Sequence, residues 1–451
     1  MKKLILFIGI GISLNIFSQT KDSAAYSFSI TQAIDFAIKN QKDVKNAIID
    51  EELAQEKVHE TRGIGLPQIN SSLDVRDFID IPTQVAAGAF GGPPGTLASF
   101  KFGTKYQATA GFDASQMLFN AEYFLGLKGS KVYMELSSKA TQRTKIETIV
   151  TVSKAYYTVL VNQERIKLMN ANIARLKKIM DDTKAFVDNG FAEKIDYDRL
   201  TVTYNNLLVE QEKVQRLLGL GTYLLKFQMG MDINANLTLT DKLEDVKLDA
   251  ANAVSAEKFD YSKRVEYNLF ETQQRMAKLD LKRNRLSYLP TAFAYANWTQ
   301  NAFRTKFNDI YATGSGINYA WYPTTLVGGK VVLPITNGFQ RNAKNQQAKL
   351  TLQKAENNLD FIKKSIDLEL ASSAISLQNT SSSFENQKKN IAIAEDVVRV
   401  AKLKLEQGVG SNLEMITAET ALKEAQTNYF NALFDALIAK IDFDKANGNI
   451  K

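Results

Sequence analysis

The stretch Gly408-Val-Gly-Ser-Asn-Leu-Glu414 repeats, 218 residues later, the pattern of Gly190-Phe-Ala-Glu-Lys-Ile-Asp196. Each stretch begins with glycine and ends with a branched aliphatic residue followed by an acid. Three further landmarks recur in the same order at offsets of 217 to 223 residues: Asp43-Val44 with Glu266-Tyr267, Leu66-Pro67 with Leu289-Pro290, and Leu118-Phe-Asn120 with Ile335-Thr-Asn337. Recurrence in one order at nearly one spacing predicts that the chain contains two copies of one structural unit.

The two copies share one order of predicted elements. A helix-like segment (about 31–62 and 256–287) ends before a Leu-Pro pair, because proline disfavours helical geometry in the preceding residue. Strand-like alternation follows, and then long helical patterns with apolar residues three and four apart, as in a coiled-coil seam. We therefore predict a first repeat at 19–235, with strands at about 66–81 and 102–119 and long helices over 121–229, and a second repeat at 236–451, with strands at about 289–301 and 319–336 and long helices over 338–447.

The N-terminus is typical of a secretory signal peptide over residues 1–18. Lys2 and Lys3 precede a run of 14 uncharged residues from Leu4 to Phe17. As a helix, this run would be about 21 Å long, which is short for an uncleaved anchor in a bilayer core of about 30 Å. We therefore expect cleavage near Ser18 and a mature protein outside the cytoplasm.

The composition excludes most catalytic chemistry. Among 451 residues there is no cysteine, and His59 is the one histidine. This rules out thiol catalysis, zinc–cysteine sites and multi-histidine metal sites. The motifs G-x-S-x-G, H-E-x-x-H and G-x-x-x-x-G-K-[ST] do not occur. We predict no enzyme activity, no cofactor and no metal. The net charge of +7 comes without a basic run, so we also predict no nucleic-acid partner.

The four predicted strands lead to an oligomeric membrane architecture. Strands of nine to eleven residues can cross a bilayer, but four strands cannot close, and open edges in lipid leave backbone groups unpaired. Three copies would supply twelve strands, within the range of outer-membrane barrels. A helix over 121–188 would be about 100 Å long, too long to surround a globular core. The predicted fold is mainly α with membrane β: two tandem repeats give four strands and long coiled-coil helices per protomer, and a trimer forms a 12-stranded barrel plus an α-helical periplasmic tunnel.

Residues 333–343 (Leu-Pro-Ile-Thr-Asn-Gly-Phe-Gln-Arg-Asn-Ala) and 407–419 are similar to the pattern of the TolC family of outer-membrane efflux proteins. The doubled order of elements extends this resemblance over essentially the whole mature chain. The resemblance implies a homotrimer in the bacterial outer membrane, surrounded by its lipid, with a periplasmic extension. It further implies a periplasmic adaptor (membrane fusion protein) and an inner-membrane pump as partners, and a mixed domain drawn from about 20–35, 231–262 and the C-terminus.

The function implied is that of an outer-membrane conduit in a tripartite efflux pump or a type I secretion system. Drugs, metal ions and polypeptides all remain open as cargo. The alternative is a periplasmic coiled-coil adaptor, which would share the long helices. An adaptor should have one helical hairpin beside a split β domain, however, rather than two hairpins with paired strands.

The resemblance also implies a periplasmic gate near the two glycine turns. Asp196 matches a gate aspartate of the family, and Glu414 matches an acidic position that forms a ring across the threefold axis. The family's gate tyrosine, gate arginine and second ring acid fall on Leu405, Gly410 and Thr417. We therefore expect a single acidic ring at Glu414; the alternative is ordinary solvent-exposed charge on a helix.

The resemblance implies two further expectations for this region. Because the family's gate tyrosine and gate arginine are replaced here, Asp196 is expected to be held by another residue such as Lys194 or Arg199. The turns at Gly190, Gly408 and Gly410 are candidate adaptor contacts, although caps between helices would need the same glycines.

Aromatic residues cluster around the strands of the second copy. They suit either an interfacial belt, in which amphipathic rings lie at the level of the lipid headgroups, or simple packing on a sheet. These residues are Trp298, Tyr311, Tyr319, Trp321 and Tyr322.

Overall fold

The computed structural model describes residues 25–87, 95–243, 259–312 and 314–450. The first half of the chain contains β1 (Ala25–Phe28), α1 (Ile30–Asn40), α2 (Lys42–Gly63), β2 (Gln68–Asp77), β3 (Thr83–Ala87), β4 (Leu97–Lys101), β5 (Tyr106–Phe119), α3 (Ala121–Asp188) and α4 (Lys194–Met229). The second half contains β6 (Asn236–Leu239), α5 (Val265–Leu286), β7 (Thr291–Arg304), β8 (Tyr322–Val332), α6 (Gln340–Glu406) and α7 (Asn412–Ala446). The predicted signal peptide at 1–18 lies outside the described residues.

The chain divides into two compact units, and each unit draws on both halves of the sequence. The helical unit contains Met1–Lys45, Lys145–Glu257 and Leu370–Lys451. The sheet unit contains Asn46–Thr144 and Lys258–Glu369. The two compact units therefore do not coincide with the repeats predicted at 19–235 and 236–451, because equivalent segments of the two copies pack together.

In the helical unit, the N-terminal residues are tied to the middle of the chain. Strand β1 pairs in parallel with β6, from Ala25 opposite Asn236 to Phe28 opposite Leu239. Helix α1 begins at Ser29, whose side chain accepts from the Gln32 backbone N–H in a capping box. A buried cluster joins these elements to α3 and α4: Ala33, Ala37, Val152, Ala155, Tyr156, Val159, Leu160, Leu225, Met229 and Met231.

The two helical hairpins of this unit have apolar seams at the predicted spacing. Seams of this kind hold antiparallel helices together by burying one stripe of each. Between α3 and α4 the buried residues are Met169, Leu176, Leu200, Leu207 and Val214. Between α6 and α7 they are Ala394, Val398, Ala401, Met415, Ala418 and Leu422.

The first helical segment differs from the prediction of one helix over about 31–62. It is broken at Gln41, whose backbone is extended at φ −64° and ψ 134°. The Gln41 side chain accepts from the Val44 backbone N–H at 2.9 Å and so caps α2. The corresponding segment of the second copy, predicted over 256–287, contains α5, preceded by a short 3-10 helix at Tyr261–Lys263.

The sheet unit contains a four-stranded antiparallel sheet in the order β2-β5-β7-β8. These strands lie within, or within three residues of, the four predicted ranges. Strands β3 and β4 form a separate hairpin, and residues 88–94 between them lie outside the described residues. Among the described residues, no helix has both the length and the apolar character that crossing a membrane requires.

Candidate functional site

The four-stranded sheet has two chemically different faces. Because side chains alternate along a strand, the pairing registers assign each residue to one face. The apolar face carries Ile69, Leu73, Val75, Ala108, Ala110, Phe112, Ala114, Ala296, Trp298, Ala302, Val327 and Val331, and Ser71, Asp77, Gln300, Arg304 and Thr325 also lie on it. The polar face carries Gln68, Asn70, Ser72, Asp74, Arg76, Gln107, Thr109, Asp113, Asn297, Thr299, Asn301 and Thr324, and Phe293, Tyr295, Phe303, Tyr322 and Leu326 also lie on it.

Much of the apolar face is exposed in a single chain. The exposed fractions are 70% for Ile69, 67% for Leu73 and 76% for Val327. Phe112 and Trp298 stack across the β5–β7 pair with ring centroids 5.9 Å apart. A large exposed apolar surface usually marks a site that contacts a partner or a membrane. In membrane β-barrels, the outward-facing apolar residues contact lipid.

The polar face carries cross-strand hydrogen bonds. The Thr109 hydroxyl donates to Asn301 Oδ1 at 2.9 Å, and Asn301 Nδ2 donates to the Thr324 hydroxyl at 3.2 Å. The Asn297 amide donates to Asp113. Hydroxyl and amide side chains in this pattern fit a surface that remains in contact with water.

The sheet has two unpaired edges among the described residues. Strands β2 and β8 are its outer members, and nearly all of their residues are exposed. Since each neighbouring pair is antiparallel, β2 and β8 run in opposite directions. The β8 edge of one chain can therefore form an antiparallel ladder with the β2 edge of another chain.

At the turn between α6 and α7, Glu414 lies next to a lysine. Lys404 Nζ donates to Glu414 Oε1 at 2.8 Å, and both side chains are about half exposed. The Glu414 backbone N–H donates to the hydroxyl of Ser411, which caps α7. The carboxylate expected to form an acidic ring is therefore ion-paired within its own chain, ten residues from its partner along the sequence.

Asp196 has a partner other than the expected ones. Its Oδ2 accepts from Asn412 Nδ2 at 3.2 Å, not from Lys194 or Arg199. Asn412 is the first residue of α7, so the contact links the two glycine turns. The neighbouring turn, rather than the adjacent sequence, therefore supplies the donor to Asp196.

The glycines at the two turns play different roles. Gly190 and Gly408 have φ of 77° and 73°, a left-handed conformation that ends each helix. Gly410 has no positive φ, but a Cβ there would lie 2.9 Å from the Leu405 backbone nitrogen. The residues after the two capping glycines, Phe191 and Val409, are 83% and 77% exposed. In most such caps this apolar residue packs back on the helix.

Sequence reasoning missed a polar network between α3 and α7. Asn172 donates to Gln426 at 2.5 Å in a buried position. Arg175 Nη2 donates to Glu419 Oε2 at 2.9 Å, and Arg175 Nε lies 2.8 Å from Glu419 Oε1. A usable signal was the interruption of two apolar helical seams by Asn172 and Gln426.

Comparisons with known proteins agree with these features. The sequence profile of a family described as outer membrane efflux protein matches residues 33–217 and 289–449. Outer membrane protein TolC of Salmonella enteritidis is 22% identical, over 100% of this chain and 87% of the relative. Alkaline protease secretion protein AprF of Pseudomonas aeruginosa is 20% identical, over 92% of this chain and 83% of the relative.

A solved structure shares the fold. The CmeC outer membrane channel of Campylobacter jejuni superimposes with a TM-score of 0.72 at 14% identity, covering 99% of this chain and 93% of the other. The chain therefore belongs to the outer membrane efflux protein family, and it is a conduit of the bacterial outer membrane rather than an enzyme or a periplasmic adaptor.

Proposed function

We propose that three copies of this chain form a closed 12-stranded barrel and serve as the outer-membrane conduit of a tripartite efflux pump or a type I secretion system. The observation that carries the proposal is the two-faced sheet with both edges unpaired. Joining β8 of each copy to β2 of the next satisfies the edge backbone groups that lipid cannot. It also turns the apolar face to the membrane and the polar face to the lumen.

The helical unit offers matching surfaces for a tunnel wall. Helix α4 exposes an apolar stripe in which Val202 and Val209 are seven residues apart and 60% and 68% exposed. Farther along α4, Leu220 and Phe227 repeat this spacing at 65% and 70%. A seven-residue apolar repeat is the pattern of one helix packing along another. The proposed partner is α6 of the next copy, which exposes Ile375, Ile393, Val397 and Val400.

The duplicated sequence fits this assembly. The repeats at 19–235 and 236–451 each supply two strands of the sheet and one long helical hairpin. A threefold assembly of such chains has six nearly equivalent segments around its axis. With two strands from each, these segments supply the twelve strands of the proposed barrel.

The turns between the long helices form the proposed periplasmic end. Glu414 and Lys404 together make a ring of three ion pairs, and Asp196 holds the neighbouring turn through Asn412. Gly190, Gly408 and Gly410 shape the tips that meet the adaptor. The exposed Phe191 and Val409 give those tips an apolar contact for it.

The candidate cargoes of this conduit are drugs, metal ions and polypeptides. The relative AprF is named for protease secretion, which supports polypeptide export as one candidate. Deleting the gene and measuring drug susceptibility together with the secreted proteome separates the candidates. Loss of one secreted protein would favour type I secretion, and increased drug susceptibility would favour efflux.

Cysteine cross-linking tests the closed trimer directly, because the chain has no cysteine of its own. Leu73→Cys on β2 is combined in turn with Thr325→Cys, Val327→Cys or Gly329→Cys, all on the same apolar face. We expect one combination to yield covalent trimers under mild oxidation. Leu73→Cys with Leu326→Cys, on opposite faces, is the control that should not cross-link. Detergent-solubilised particles of single-chain mass without cross-links would contradict the proposal.

A further inference from the structure

Arg304, the last residue of β7, is a buried cation on the apolar face of the sheet. It lies opposite Tyr106 and is only 2% exposed. Its guanidinium donates to four backbone carbonyl oxygens at 2.9 to 3.1 Å: those of Phe303, Asp309, Tyr319 and Ala320. Three of these carbonyls belong to the loop between β7 and β8, so Arg304 holds both limbs of that loop.

In the loop between β7 and β8 (residues 305–312 and 314–321), the first limb folds back over the apolar face. Its short 3-10 helix, Phe307–Ile310, buries Ile310 against Ala108 and Ala302, which are cross-strand partners on that face. The Phe307 ring packs edge-on against Tyr106 with centroids 5.7 Å apart. Residue 313 lies outside the described residues, and the contacts above do not involve it.

This covering lies at one end of the sheet. Helix α3 follows the C-terminal end of β5, and α5 precedes the N-terminal end of β7. Tyr106 begins β5 and Arg304 ends β7, so both lie at the end of the sheet that is not connected to α3 or α5. The loop therefore lies where the strands are farthest along the chain from the helices, directly beyond the exposed part of the apolar face.

The exposed side chains of the loop combine large apolar and aromatic groups with lysine. Ile317 is 82% exposed, Tyr311 72% and Trp321 37%. Lys306 is exposed within the loop, and the exposed Lys105 has its ammonium 5.4 Å from the ring of Tyr106, which Phe307 of the loop contacts. Tyrosine and tryptophan concentrate at membrane–water interfaces, and lysine there can approach lipid phosphates.

We propose that the Arg304-bound loop is a lipid-contacting collar: it rests on the outer surface of the barrel and inserts its aromatic side chains among the headgroups of the outer leaflet. A loop of this kind would ordinarily extend into water above the strands. Here the same face that meets lipid lower down the strands continues into the loop, so the partner is the lipid surface. The inference rests on the proposed barrel.

The two tryptophans of the chain, Trp298 and Trp321, allow a direct test. Trp298→Phe leaves only Trp321, in the loop; Trp321→Phe leaves only Trp298, on the apolar face. Each full-length variant is reconstituted into phosphatidylcholine vesicles with or without brominated acyl chains, and fluorescence quenching is compared with quenching by aqueous iodide. We expect brominated lipid to quench Trp321, most strongly with bromine near the headgroup. Quenching of Trp321 by iodide alone would overturn the collar.

The companion variant separates this inference from the barrel. If brominated lipid quenches Trp298 but not Trp321, the collar is wrong and the barrel stands. If it quenches neither, the barrel itself is wrong.

A second measurement uses a unique thiol. Ile317→Cys carrying a polarity-sensitive dye should emit at shorter wavelength in vesicles than Thr299→Cys on the polar face. Adding Arg304→Met should release the loop and shift the Ile317→Cys emission to longer wavelength. Equal emission from the two labelled sites would count against lipid contact.

Discussion

Lys404 alters the charge that the Glu414 carboxylate presents at the proposed periplasmic end. Exposed ion pairs contribute little to stability, but they set the local field of a narrow passage. With Lys404 at 2.8 Å, each chain presents a paired rather than a free negative charge. In the proposed trimer, the ring expected at Glu414 would therefore consist of three ion pairs, and we expect its cation selectivity to be weak while Lys404 is present.

Removing each partner separately should move ion selectivity in opposite directions. Lys404→Met leaves three unpaired carboxylates facing one another, so cation selectivity should rise; Glu414→Gln leaves three lysines, so it should fall. The measurement is the reversal potential under a salt gradient in planar bilayers, with Lys402→Met on the same helix as control. Unchanged reversal potentials in both variants would exclude a charged ring at this position.

Tyr156 has the most perturbed phenol of the helical unit. Burial raises the pKa of Tyr156 far above its ordinary value of 10.0, and the hydroxyl, 2.9 Å from Asp241 Oδ2, adds to this effect. Asp241 also accepts from the Ile30 backbone N–H at 2.7 Å, at the start of α1. One carboxylate thus holds the beginning of α1 and the middle of α3 together.

The sign of this shift predicts loss of stability at alkaline pH. A phenol with a raised pKa in the folded state contributes stability that is complete below pH 10 and is lost as the pH rises above it. Tyr156→Phe should lower the melting temperature at pH 8 by removing a hydrogen bond of about 1 kcal/mol. It should also make the decline between pH 9.5 and 11 shallower. Tyr223→Phe, at an exposed tyrosine, should do neither. An alkaline decline as steep in Tyr156→Phe as in the unaltered chain would contradict this assignment.

At the scale of elements, the break between α1 and α2 shows what helical periodicity leaves out. Residues 31–62 have an uninterrupted helical pattern without glycine or proline, which predicts one helix. The chain nevertheless turns at Gln41, and Gly230 at the end of α4 lies against this point. A Cβ on Gly230 would be 2.6 Å from the Asn40 carbonyl oxygen.

Gly230 therefore allows a close approach as well as a left-handed turn. Gly230→Ala should destabilise the protein by both effects, whereas Gly190→Ala, with φ 77° and open space around it, carries only the backbone cost of about 1 kcal/mol. Thermal unfolding in detergent, followed by circular dichroism, compares the two variants. Equal losses would mean that the contact between Gly230 and Asn40 does not constrain the junction.

The strands were more predictable than the helix junction. Alternation from Tyr106 to Ser115 identifies β5 and its two faces, because a strand places successive side chains on opposite sides. The loop after β7 was not predictable in the same way. Arg304 ends a strand on its apolar face, and only the fold-back of the loop explains a cation at that position.

At the scale of the whole molecule, the apolar stripe on α4 should hold the copies together. In the proposed trimer, Val209 is covered by α6 of the next chain, so Val209→Asp would bury an unpaired charge at a cost of several kcal/mol. We expect this variant to dissociate into single chains in size-exclusion chromatography with light scattering. Val209→Thr has nearly the same shape without the charge and should stay trimeric. A trimeric Val209→Asp variant would place this stripe on a surface that water reaches.

The duplicated order of elements, the four strands and the long helices follow from the sequence alone, because periodicity and proline placement are local properties. Periodicity tells which face of an element is apolar, but it does not identify the partner that covers the face. The contact of Asp196 with Asn412 joins residues 216 positions apart. The loop held by Arg304 and the division into a helical and a sheet unit likewise depend on segments meeting in space. Such contacts are decided by packing across the fold, so only the tertiary structure reveals them.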